Sequence, residues 1–534
     1  SLHFMFRIAD FTVRWRKMMN KFTCETASIS LLHVSSVKSH LLSTMKGSNV
    51  ASTLDESYEN AISSLNSLQS NSSVLQDSIL RKHSEDNKHI NDTLKYLLRI
   101  GVSMDHLNQL PVIHVSGTKG KGSTCAMIES ILRSNGYRTG FFSSPHLVSV
   151  KERVRLNGMP LSSDKFRLYF WKIYKQLLAY REHSRDMPSY FCFLTILALD
   201  VFLRESVDVC VIEVGIGGRY DCTNVLPKTG TVGITSLGLE HTKLLGNTLE
   251  EIAWQKAGII KRGSDVFSVV QPSECMEIIR EECRKLKANL FVVPSELKAY
   301  QWAKKPELVN ESCDILDILE LNTSLAIQIA TNWMNKNISE ISQENITSIV
   351  TKQTVEGIDR CFWPGRLQRI LYDTKKTLYL DGAHTLESIH LCARWYNMKS
   401  HSQYKRLLIF NTTGDRDSAK LLSTLSSMIK FDAAFFTPSV PRDTVTCVDA
   451  MNHNFPFELQ LQRCRQNYEY WSQTIQHKEG FLHESIESVF KQIDEDFVFK
   501  GETCDILITG SIHLIGAAFV ALNLERFMCT STTQ

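Results

Sequence analysis

The sequence predicts an α/β protein built from two blocks of mostly parallel sheet, and three observations support this class. From about Tyr58 onward, short apolar runs typical of strands alternate with stretches of helical periodicity. One of these runs enters a glycine-rich turn that leads into a helix-length segment. A Pro-Gly pair in CFWPGRLQ (361–368) separates the two blocks and marks a hinge. Alternation of strands and helices is the pattern of layered α/β folds.

Composition fits a globular protein of two or three domains. The chain has 534 residues, of which 43% are hydrophobic and 22% charged. Its 60 basic and 57 acidic residues give a net charge of +3, which does not indicate a nucleic acid or an anionic membrane as partner. The longest apolar run, 191–203, is interrupted by Asp200 and is shorter than the roughly 18 residues of a membrane span. We interpret it as a buried helix and expect no stable membrane insertion.

The cysteines and the first 50 residues bear on the compartment. The 14 cysteines include no CxxC pair and no Cys/His cluster at zinc spacing, which favours a reducing compartment. Residues 1–50 carry seven Lys or Arg against Asp10 and Glu25, a composition typical of a mitochondrial transit peptide. The alternative is an ordinary disordered basic tail. Internal methionines could also start a cytosolic form, so we expect a mitochondrial or cytoplasmic protein, or both.

The strands predicted for each block come at crossover spacing. The first block contains the apolar runs 111–115, 208–215, 231–238 and 265–270, and the second contains 377–384, 406–414, 431–438 and 505–511. We place the domain boundary near Phe362, which gives a leader of 1–50, a first domain of 51–362 and a C-terminal domain of 363–534. The segment 441–501 is polar and shows no strand pattern until its end, so helices and loops are expected there.

The stretch HVSGTKGKGST (114–124) follows a strand and precedes a helix that could end at Gly136, which is the context of a phosphate-binding loop. Glycines would let backbone N–H groups approach phosphate oxygens, and Lys121 would add charge. The alternative is a plain glycine-rich turn. The residues predicted to contact ATP here are Gly117, Thr118, Lys119, Gly120, Lys121, Gly122, Ser123 and Thr124. The standard motif GxxxxGK[ST] places a magnesium-binding hydroxyl directly after the lysine, where this chain has Gly122. Either the loop is reshaped, or the hydroxyl comes from elsewhere in the chain.

Two polar residues of the first block follow predicted strands, where ligands of open α/β sheets bind. Glu213 ends an apolar run, and a charge there needs a partner, which could be a cation or Arg219. His241 lies in the loop after 231–238 and could bind a cation or simply make loop hydrogen bonds. Lys256 stands in the last turn of a helix that begins with a capping box at Thr248, so favourable interaction with the helix dipole is enough to explain a lysine there.

In the second block, Asp381 and His384 stand at the exit of a strand, before a helix that begins near Leu386. Such a turn could face the phosphates across a cleft. The alternative is that the aspartate caps the helix locally.

Six strings in order carry a resemblance to a known family: GTKGKGST, TGFFSSPHLVSVKERVRLNG, EVGIGGRYDCTN, HTKLLGNTLEEIAWQKAGI, WPGR and DGAHT. Together they resemble the folylpolyglutamate synthases, the folate branch of the Mur ligase superfamily, from about Tyr58 to Leu524. The resemblance implies a P-loop-containing parallel-sheet ATPase domain and a smaller Rossmann-like C-terminal ligase domain.

The resemblance also implies roles for single residues. Magnesium would be bound by Ser144, Glu213 and His241, with Glu240 standing where the family usually has aspartate. Lys256 would be carbamylated. Arg366, Asp381 and His384 would close the site when the domains meet, and Asn322 would lie near the adenine. The residues expected to act in catalysis are Lys121, Lys256 and His384.

The implied reaction is ATP-dependent addition of L-glutamate to the γ-carboxylate of a reduced folate, through an acyl phosphate. Mg²⁺ is the implied cofactor, ATP a co-substrate and K⁺ an activating cation, and we expect a monomer. One alternative is a bifunctional enzyme that also joins dihydropteroate to glutamate. The others are a nucleotide-binding scaffold without ligase activity and a cell-wall Mur ligase.

Overall fold

The computed structural model describes residues 55–68, 88–306, 316–336, 349–414, 416–442, 456–475 and 479–528. Within these ranges the predicted α/β class is confirmed, with two separate sheets. The leader expected at residues 1–50 lies outside the described residues. The described residues from Glu56 onward belong to one compact unit.

The first sheet has eight strands in the order β4-β3-β2-β5-β1-β6-β7-β8. They are β1 Val112–Ser116, β2 Thr139–Phe142, β3 Val154–Leu156, β4 Met159–Pro160, β5 Val209–Glu213, β6 Thr231–Ile234, β7 Asp265–Ser268 and β8 Asn289–Val292. β1 lies at the centre and pairs in parallel with both β5 and β6. Only β3, near one edge, runs against the other strands, and it pairs antiparallel with both β2 and β4.

The second sheet has six strands in the order β13-β12-β11-β14-β10-β9. They are β9 Gln368–Leu371, β10 Lys376–Asp381, β11 Lys405–Phe410, β12 Ala433–Phe436, β13 Glu479–Leu482 and β14 Cys504–Thr509. β9 is antiparallel to β10, and the other pairs are parallel.

Sixteen α-helices lie in the described ranges. They are α1 Tyr58–Ser67, α2 Lys88–Arg99, α3 Met104–Gln109, α4 Lys121–Ser134, α5 Ser163–Ala179, α6 Tyr190–Arg204, α7 Thr242–Leu245, α8 Leu249–Ala257, α9 Ser273–Leu286, α10 Leu316–Lys336, α11 Lys352–Asp359, α12 Leu386–Lys399, α13 Ser418–Met428, α14 Phe457–Thr474, α15 Ile486–Ile493 and α16 Ile512–Ala521. Short 3₁₀ turns occur at Val150–Arg153, Cys222–Val225, Leu297–Ala299 and Glu525–Met528, and Asp494–Val498 is a π-helical turn.

All eight predicted strands are present, because each was a continuous apolar run that is now buried on both faces of a parallel sheet. The expectation for 441–501 was wrong in one respect, since β13 forms there and pairs with β12. β13 is a short edge strand that contains Gly480, and its ends are exposed. Backbone pairing rather than an apolar face holds it in place, so its sequence carries little strand pattern.

The apolar run 191–203 forms α6, as predicted, and its central residues are buried against the first sheet. Asp200 in this helix is paired with Arg204 at 2.7 Å, which compensates the buried charge. No helix in the described part of the chain is long and apolar enough to span a membrane.

The loop after β2 joins the two blocks. Its residues Leu147 and Val148 are buried in the hydrophobic core of the second sheet rather than the first. A Cβ atom on Gly516 of α16 would lie 2.0 Å from the Leu147 carbonyl oxygen, so the loop passes directly over that helix. The carboxyl ends of β1, β2, β5 and β6 are therefore brought towards the second block.

Candidate functional site

The phosphate-binding loop connects β1 to α4 and depends on two glycines. Gly120 has φ +85° and precedes α4, and a Cβ atom there would lie 2.2 Å from Asn322 Oδ1. Gly117 has φ +147°, and its Cβ would lie 1.8 Å from Thr235 Oγ1. Any larger residue at either position would be both strained and blocked. The predicted helix begins at Lys121 and is followed by Gly136 at φ +90°, as expected of a helix end.

Hydrogen bonds fix the shape of this loop. The backbone N–H groups of Thr118 and Lys119 donate to the Ser236 carbonyl at 2.9 and 3.2 Å, so they hold the loop against the segment after β6. The Lys121 ammonium donates to the Gly117 carbonyl at 3.1 Å and therefore folds back over the loop. The N–H groups of the first turn of α4 have no partner within the helix and remain for an anion. Lys121, Gly122 and Ser123 form that turn.

Gly122, the position that departs from the standard motif, lies beside the residue predicted to bind the metal. A Cβ atom there would be 3.5 Å from Glu213 Oε1 and 3.4 Å from the Trp363 ring. The glycine leaves room for the tryptophan of WPGR on one side and for the glutamate carboxylate on the other. Thr124, one of the two hydroxyl residues that follow, is fully buried, and its Oγ1 has no hydrogen-bond partner in the described part of the chain.

Glu213 and Ser144 meet at the carboxyl ends of β5 and β2. The Ser144 N–H donates to Glu213 Oε2 at 3.0 Å, and Oε1 accepts no hydrogen bond from the described residues. Glu213 is 4% exposed. Burial raises the pKa of its carboxyl, while Lys121, Arg366 and Arg153 oppose that rise. The proposed alternative partner Arg219 is not involved, because it pairs with Glu282 at 2.5 Å.

A buried carboxylate with a free oxygen and no ion pair fits a bound cation. Within the described ranges, no group of three or more His, Cys, Asp or Glu side chains is placed to hold a metal. A cation at Glu213 would therefore need a hydroxyl such as that of Ser144, in agreement with the residues predicted from sequence.

His241 directly precedes α7 in the left-handed region, with φ +52°. It is exposed, yet the protein atoms around the ring lower its pKa; Glu240 opposes this shift, and Lys256, Lys121 and Lys119 add to it. The lowered pKa favours the neutral imidazole, which is the form that can bind a cation.

Lys256 lies under the phosphate-binding loop. Its ammonium donates to the Gly117 carbonyl at 2.8 Å, and the side chain is 3% exposed. Burial lowers the pKa of Lys256 to about 7, and the charge of Lys121 adds to this shift. The predicted capping box at Thr248 is confirmed, and α8 ends at Gly258.

Glu240, which stands where the resembling family usually has aspartate, connects the two blocks. Its Oε1 accepts from the Lys119 ammonium at 2.9 Å and lies 3.6 Å from His384 Nε2. Burial opposes ionisation of Glu240, but His384 and Lys119 outweigh it and lower the pKa of the carboxyl. His384 is held from the other side, since its Nδ1 lies 2.8 Å from the Gly382 carbonyl.

Asp381, at the end of β10, holds two turns of the second block together. Its two carboxylate oxygens accept from the N–H groups of Leu367 and Ala383, at 2.8 and 2.9 Å. The alternative that it caps the following helix is wrong, because Thr385 forms the capping box of α12. The Arg366 guanidinium packs on Gly382, where a Cβ atom would lie 2.2 Å from it. Its charge acts on both Glu213 and Asp381.

Asn322 of α10 contacts the phosphate-binding loop itself. It is 5% exposed, and its Oδ1 lies against Gly120 with no hydrogen-bond partner among the described residues. Contacts thus link Ser144 to Glu213, Lys256 and Asn322 to the phosphate-binding loop, and His384 to Glu240.

Three cationic or titratable residues of this cleft were missed from sequence: Arg153, Arg416 and His513. Arg153 acts electrostatically on Glu213, Arg416 on Glu240, and both arginines on His513. Arg153 ends a 3₁₀ turn and is placed by backbone pairing within the first block. Arg416 and His513 belong to the second block, so only the packing of the two blocks brings them to the site.

The fold and this site define the class of P-loop α/β enzymes whose nucleotide site is completed by a second α/β block. The chain is 40% identical over 442 residues to the mitochondrial folylpolyglutamate synthase of Bos taurus, an alignment covering 78% of this chain and 74% of the relative. It is 39% identical over 438 residues to the human mitochondrial enzyme, covering 78% and 73%. The chain belongs to the folylpolyglutamate synthase family.

One further relative and two solved enzymes are also similar to this chain. A putative folylpolyglutamate synthase of Caenorhabditis elegans is 36% identical over 477 residues, covering 86% of this chain and 91% of that protein. The apo form of the L. casei enzyme has the same fold, with a TM-score of 0.64 at 21% identity, covering 88% of this chain and all of that one. The S73A mutant of that enzyme has a TM-score of 0.62. The Mycobacterium tuberculosis enzyme, solved with ADP and AMPPCP, has a TM-score of 0.60 at 22% identity, covering 82% and 98%. No family model matches the chain.

Proposed function

We propose that this protein adds L-glutamate to the γ-carboxylate of folate mono- and polyglutamates in an ATP-dependent reaction. The observation that carries the proposal is the position of Glu213. Its buried carboxylate lies beside the Ser144 amide and the first turn of the phosphate-binding loop, and it faces Arg366 from the second block. The substrates are inferred from membership of the folylpolyglutamate synthase family.

The chemistry explains this arrangement. A carboxylate is a poor electrophile, so amide formation first converts it to an acyl phosphate by attack on the γ-phosphate of ATP. The negative charge that develops during transfer requires compensation, which Lys121 and the N–H groups of the first turn of α4 would provide. Ser144, Glu213 and His241 would hold Mg²⁺, which would supply further charge compensation at the phosphates.

The proposed carbamylation of Lys256 is supported by its burial and lowered pKa. A neutral amine can react with CO₂ to give a carbamate, and the loss of the ammonium removes one of several positive charges packed under the loop. The product is an anion, which suits a site that would bind Mg²⁺ and, as we further propose, K⁺ as an activating ion.

The second block would close the site. Arg366 would add a positive charge at the nucleotide, Asp381 would keep the WPGR and DGAH turns in register, and His384 would act beside the incoming amine. Exclusion of water by this closure matters because water hydrolyses an acyl phosphate. Asn322, under Gly120, would fix the loop that holds the phosphates rather than contact the adenine.

Cations of the second block suit L-glutamate, which carries two carboxylates. Arg416 is held by hydrogen bonds from its NH1 group to Thr413 O and Oγ1 at 2.7 and 2.9 Å, and burial lowers its pKa. We propose that L-glutamate enters on this side of the cleft, between Arg416 and His384.

We also propose that the protein acts as a monomer. The bovine and human relatives are named mitochondrial, and the composition of residues 1–50 supports a mitochondrial form beside a cytoplasmic one. The domain division near Phe362 remains a proposal as well.

ADP release with defined substrates tests the function. Purified protein is given MgATP with tetrahydrofolate, with dihydropteroate or with no pterin, each with and without L-glutamate. We expect turnover only with tetrahydrofolate and L-glutamate together. Turnover with dihydropteroate would instead establish the bifunctional enzyme, and ATP binding without any turnover would establish the scaffold.

A further inference from the structure

Arg153 stands at the cleft edge with part of its guanidinium unused. Its Nε donates to His146 Nδ1 at 2.9 Å, and its guanidinium carbon lies 5.3 Å from the centroid of the Tyr190 ring. No carboxylate pairs with it among the residues described, and its two terminal NH₂ groups donate no hydrogen bond there. The neighbouring Arg155 differs, since it donates to the carbonyls of Glu152 and Gly158.

The backbone fixes where this guanidinium lies. The Arg153 carbonyl accepts from the Ser143 N–H at 3.0 Å, which places Arg153 opposite the loop whose next residue, Ser144, binds Glu213. Arg153 also acts electrostatically on His513, at the start of α16. The charge of Arg153 therefore acts both on the carboxylate of Glu213 and on the start of α16 in the second block.

We propose that Arg153 binds the α-carboxylate of the terminal glutamate of the folate substrate, and so presents the γ-carboxylate to the phosphate-binding loop. This assignment rests on the proposed function. The terminal glutamate carries two carboxylates, and only the γ-carboxylate becomes an amide, so the enzyme must distinguish them.

The geometry suits such a role. A guanidinium forms two parallel hydrogen bonds with a carboxylate, which fixes orientation as well as position. The bond to His146 and the contact with the Tyr190 ring hold the plane of Arg153 and leave its terminal NH₂ groups for the ligand. Because Arg153 belongs to the first block, beside Ser144 and Glu213, it is placed for the folate substrate, whose γ-carboxylate is activated there. The incoming amino acid meets His384 and Arg416 instead.

Two substrates and three variants test the assignment. Wild-type enzyme and Arg153→Gln are compared on tetrahydrofolate monoglutamate and on its α-carboxamide analogue. Arg153→Lys keeps the charge without the planar fork. Arg138→Gln is the matched control, since Arg138 is exposed and paired with Asp208 at the opposite end of β2.

We expect the α-carboxamide to raise the KM of the wild-type enzyme about 10- to 100-fold, the range for one lost charge-assisted pair. Arg153→Gln should raise the KM for the normal substrate by a similar factor and should no longer distinguish the two substrates. The KM of Arg153→Lys for the normal substrate should lie between those of wild type and Arg153→Gln. The KM values for ATP and L-glutamate should stay unchanged. Arg138→Gln should behave as wild type.

Other outcomes would overturn the assignment. A raised KM for L-glutamate, or an Arg153→Gln enzyme that still prefers the α-carboxylate, would place the guanidinium elsewhere. If Arg153→Gln shows no turnover, the equilibrium dissociation constants of the two folates are measured for wild type and for this variant and are compared in the same way. Absence of wild-type turnover with any folate would overturn the proposed function and this assignment together. If the wild-type enzyme is active, the Arg153 variants test this assignment alone.

Discussion

A carboxylate that is 4% exposed is stable only with compensating charge or hydrogen bonds, and Glu213 has one such bond on one oxygen. The open oxygen faces Gly122, where the standard phosphate loop would carry a hydroxyl. In the proposed site Ser144, whose backbone N–H already donates to Glu213, would supply the hydroxyl that the loop lacks. A phosphate-binding loop with a glycine after Lys121 could then still serve a magnesium-dependent reaction.

The two serines give a direct comparison at this scale. Ser144→Ala should lower magnesium-dependent turnover by about tenfold or more, because a proposed ligand is lost. Ser123→Ala, in the first turn of α4, should have a smaller effect. Turnover is measured over a range of Mg²⁺ concentrations, with ATP-analogue binding as the control for folding. The reverse order of the two effects would return the metal to the phosphate loop.

The titration of Lys256 should be visible in stability. Its pKa falls from the ordinary value of 10.5 to about 7, so between these values the unfolded chain binds a proton that the folded protein does not. The free energy of unfolding should therefore rise with pH across this window, with the Lys256 penalty complete below pH 7 and absent above the unfolded value.

Denaturant unfolding of ligand-free protein in CO₂-free buffer, from pH 7 to 9.5, measures this rise. Lys256→Met should have a flatter profile than wild type over the same range. Adding ¹³C-bicarbonate to wild type should give a carbamate signal that Lys256→Met lacks. Parallel pH profiles for the two proteins would show that Lys256 keeps its ordinary pKa.

Among single residues, those at strand ends could be predicted from sequence. Glu213, His241, Asp381 and His384 follow apolar runs, and parallel strands bring such ends to one edge. Arg153 could not be assigned in this way, because its significance comes from contacts with His146 and Tyr190 and from the approach of the second block.

At the scale of elements, the loop after β2 determines how the site is assembled. It carries Ser144 at its start, and Leu147 and Val148 are buried in the core of the second sheet. The loop touches α16 closely enough that only a glycine fits at position 516. Movement of α16 would therefore move the residue proposed to bind magnesium.

Gly516→Ala tests this contact. Alanine normally stabilises a helix interior by about 1 kcal/mol relative to glycine. Here the new methyl group would lie 2.0 Å from the Leu147 carbonyl, so we expect a loss of about 1–3 kcal/mol from overpacking instead, and lower turnover. Denaturant unfolding and ADP release measure the two effects.

Gly230→Ala is the control, since nothing lies within 4 Å of its Cβ position and no positive φ is needed there. It should change the free energy of unfolding by less than about 0.5 kcal/mol. A Gly516→Ala protein that is more stable than wild type, with full turnover, would contradict close contact between the loop and α16.

Sequence patterns identify elements well where burial is complete. The central strands of both sheets and α6 were predicted because they are apolar along their whole length. The strand β2, the hairpin β3–β4 and the edge strands β8, β9 and β13 were missed. β2 is the exception to the rule on burial, because it is fully buried but only four residues long. The other five are short, partly exposed and held mainly by backbone pairing, which leaves little trace in the sequence.

At the scale of the whole described unit, two parallel sheets place their carboxyl edges around one cleft. The first block brings the phosphate-binding loop, Ser144, Glu213 and Lys256, and the second brings Arg366 and His384. The Glu240 carboxylate, between Lys119 and His384, makes a polar contact between them. Such a division of groups suits a reaction in which one substrate is activated before the other attacks.

In the proposed reaction a substrate carboxylate is phosphorylated by ATP and then converted to an amide. Tetrahydrofolate monoglutamate labelled with ¹⁸O in its γ-carboxylate tests this sequence of steps. The attacking carboxylate oxygen becomes the bridge to phosphorus and leaves with the phosphate when the amine attacks. We predict one ¹⁸O atom in each inorganic phosphate formed with the diglutamate product, measured by mass spectrometry. Unlabelled phosphate accompanying that product would contradict the account.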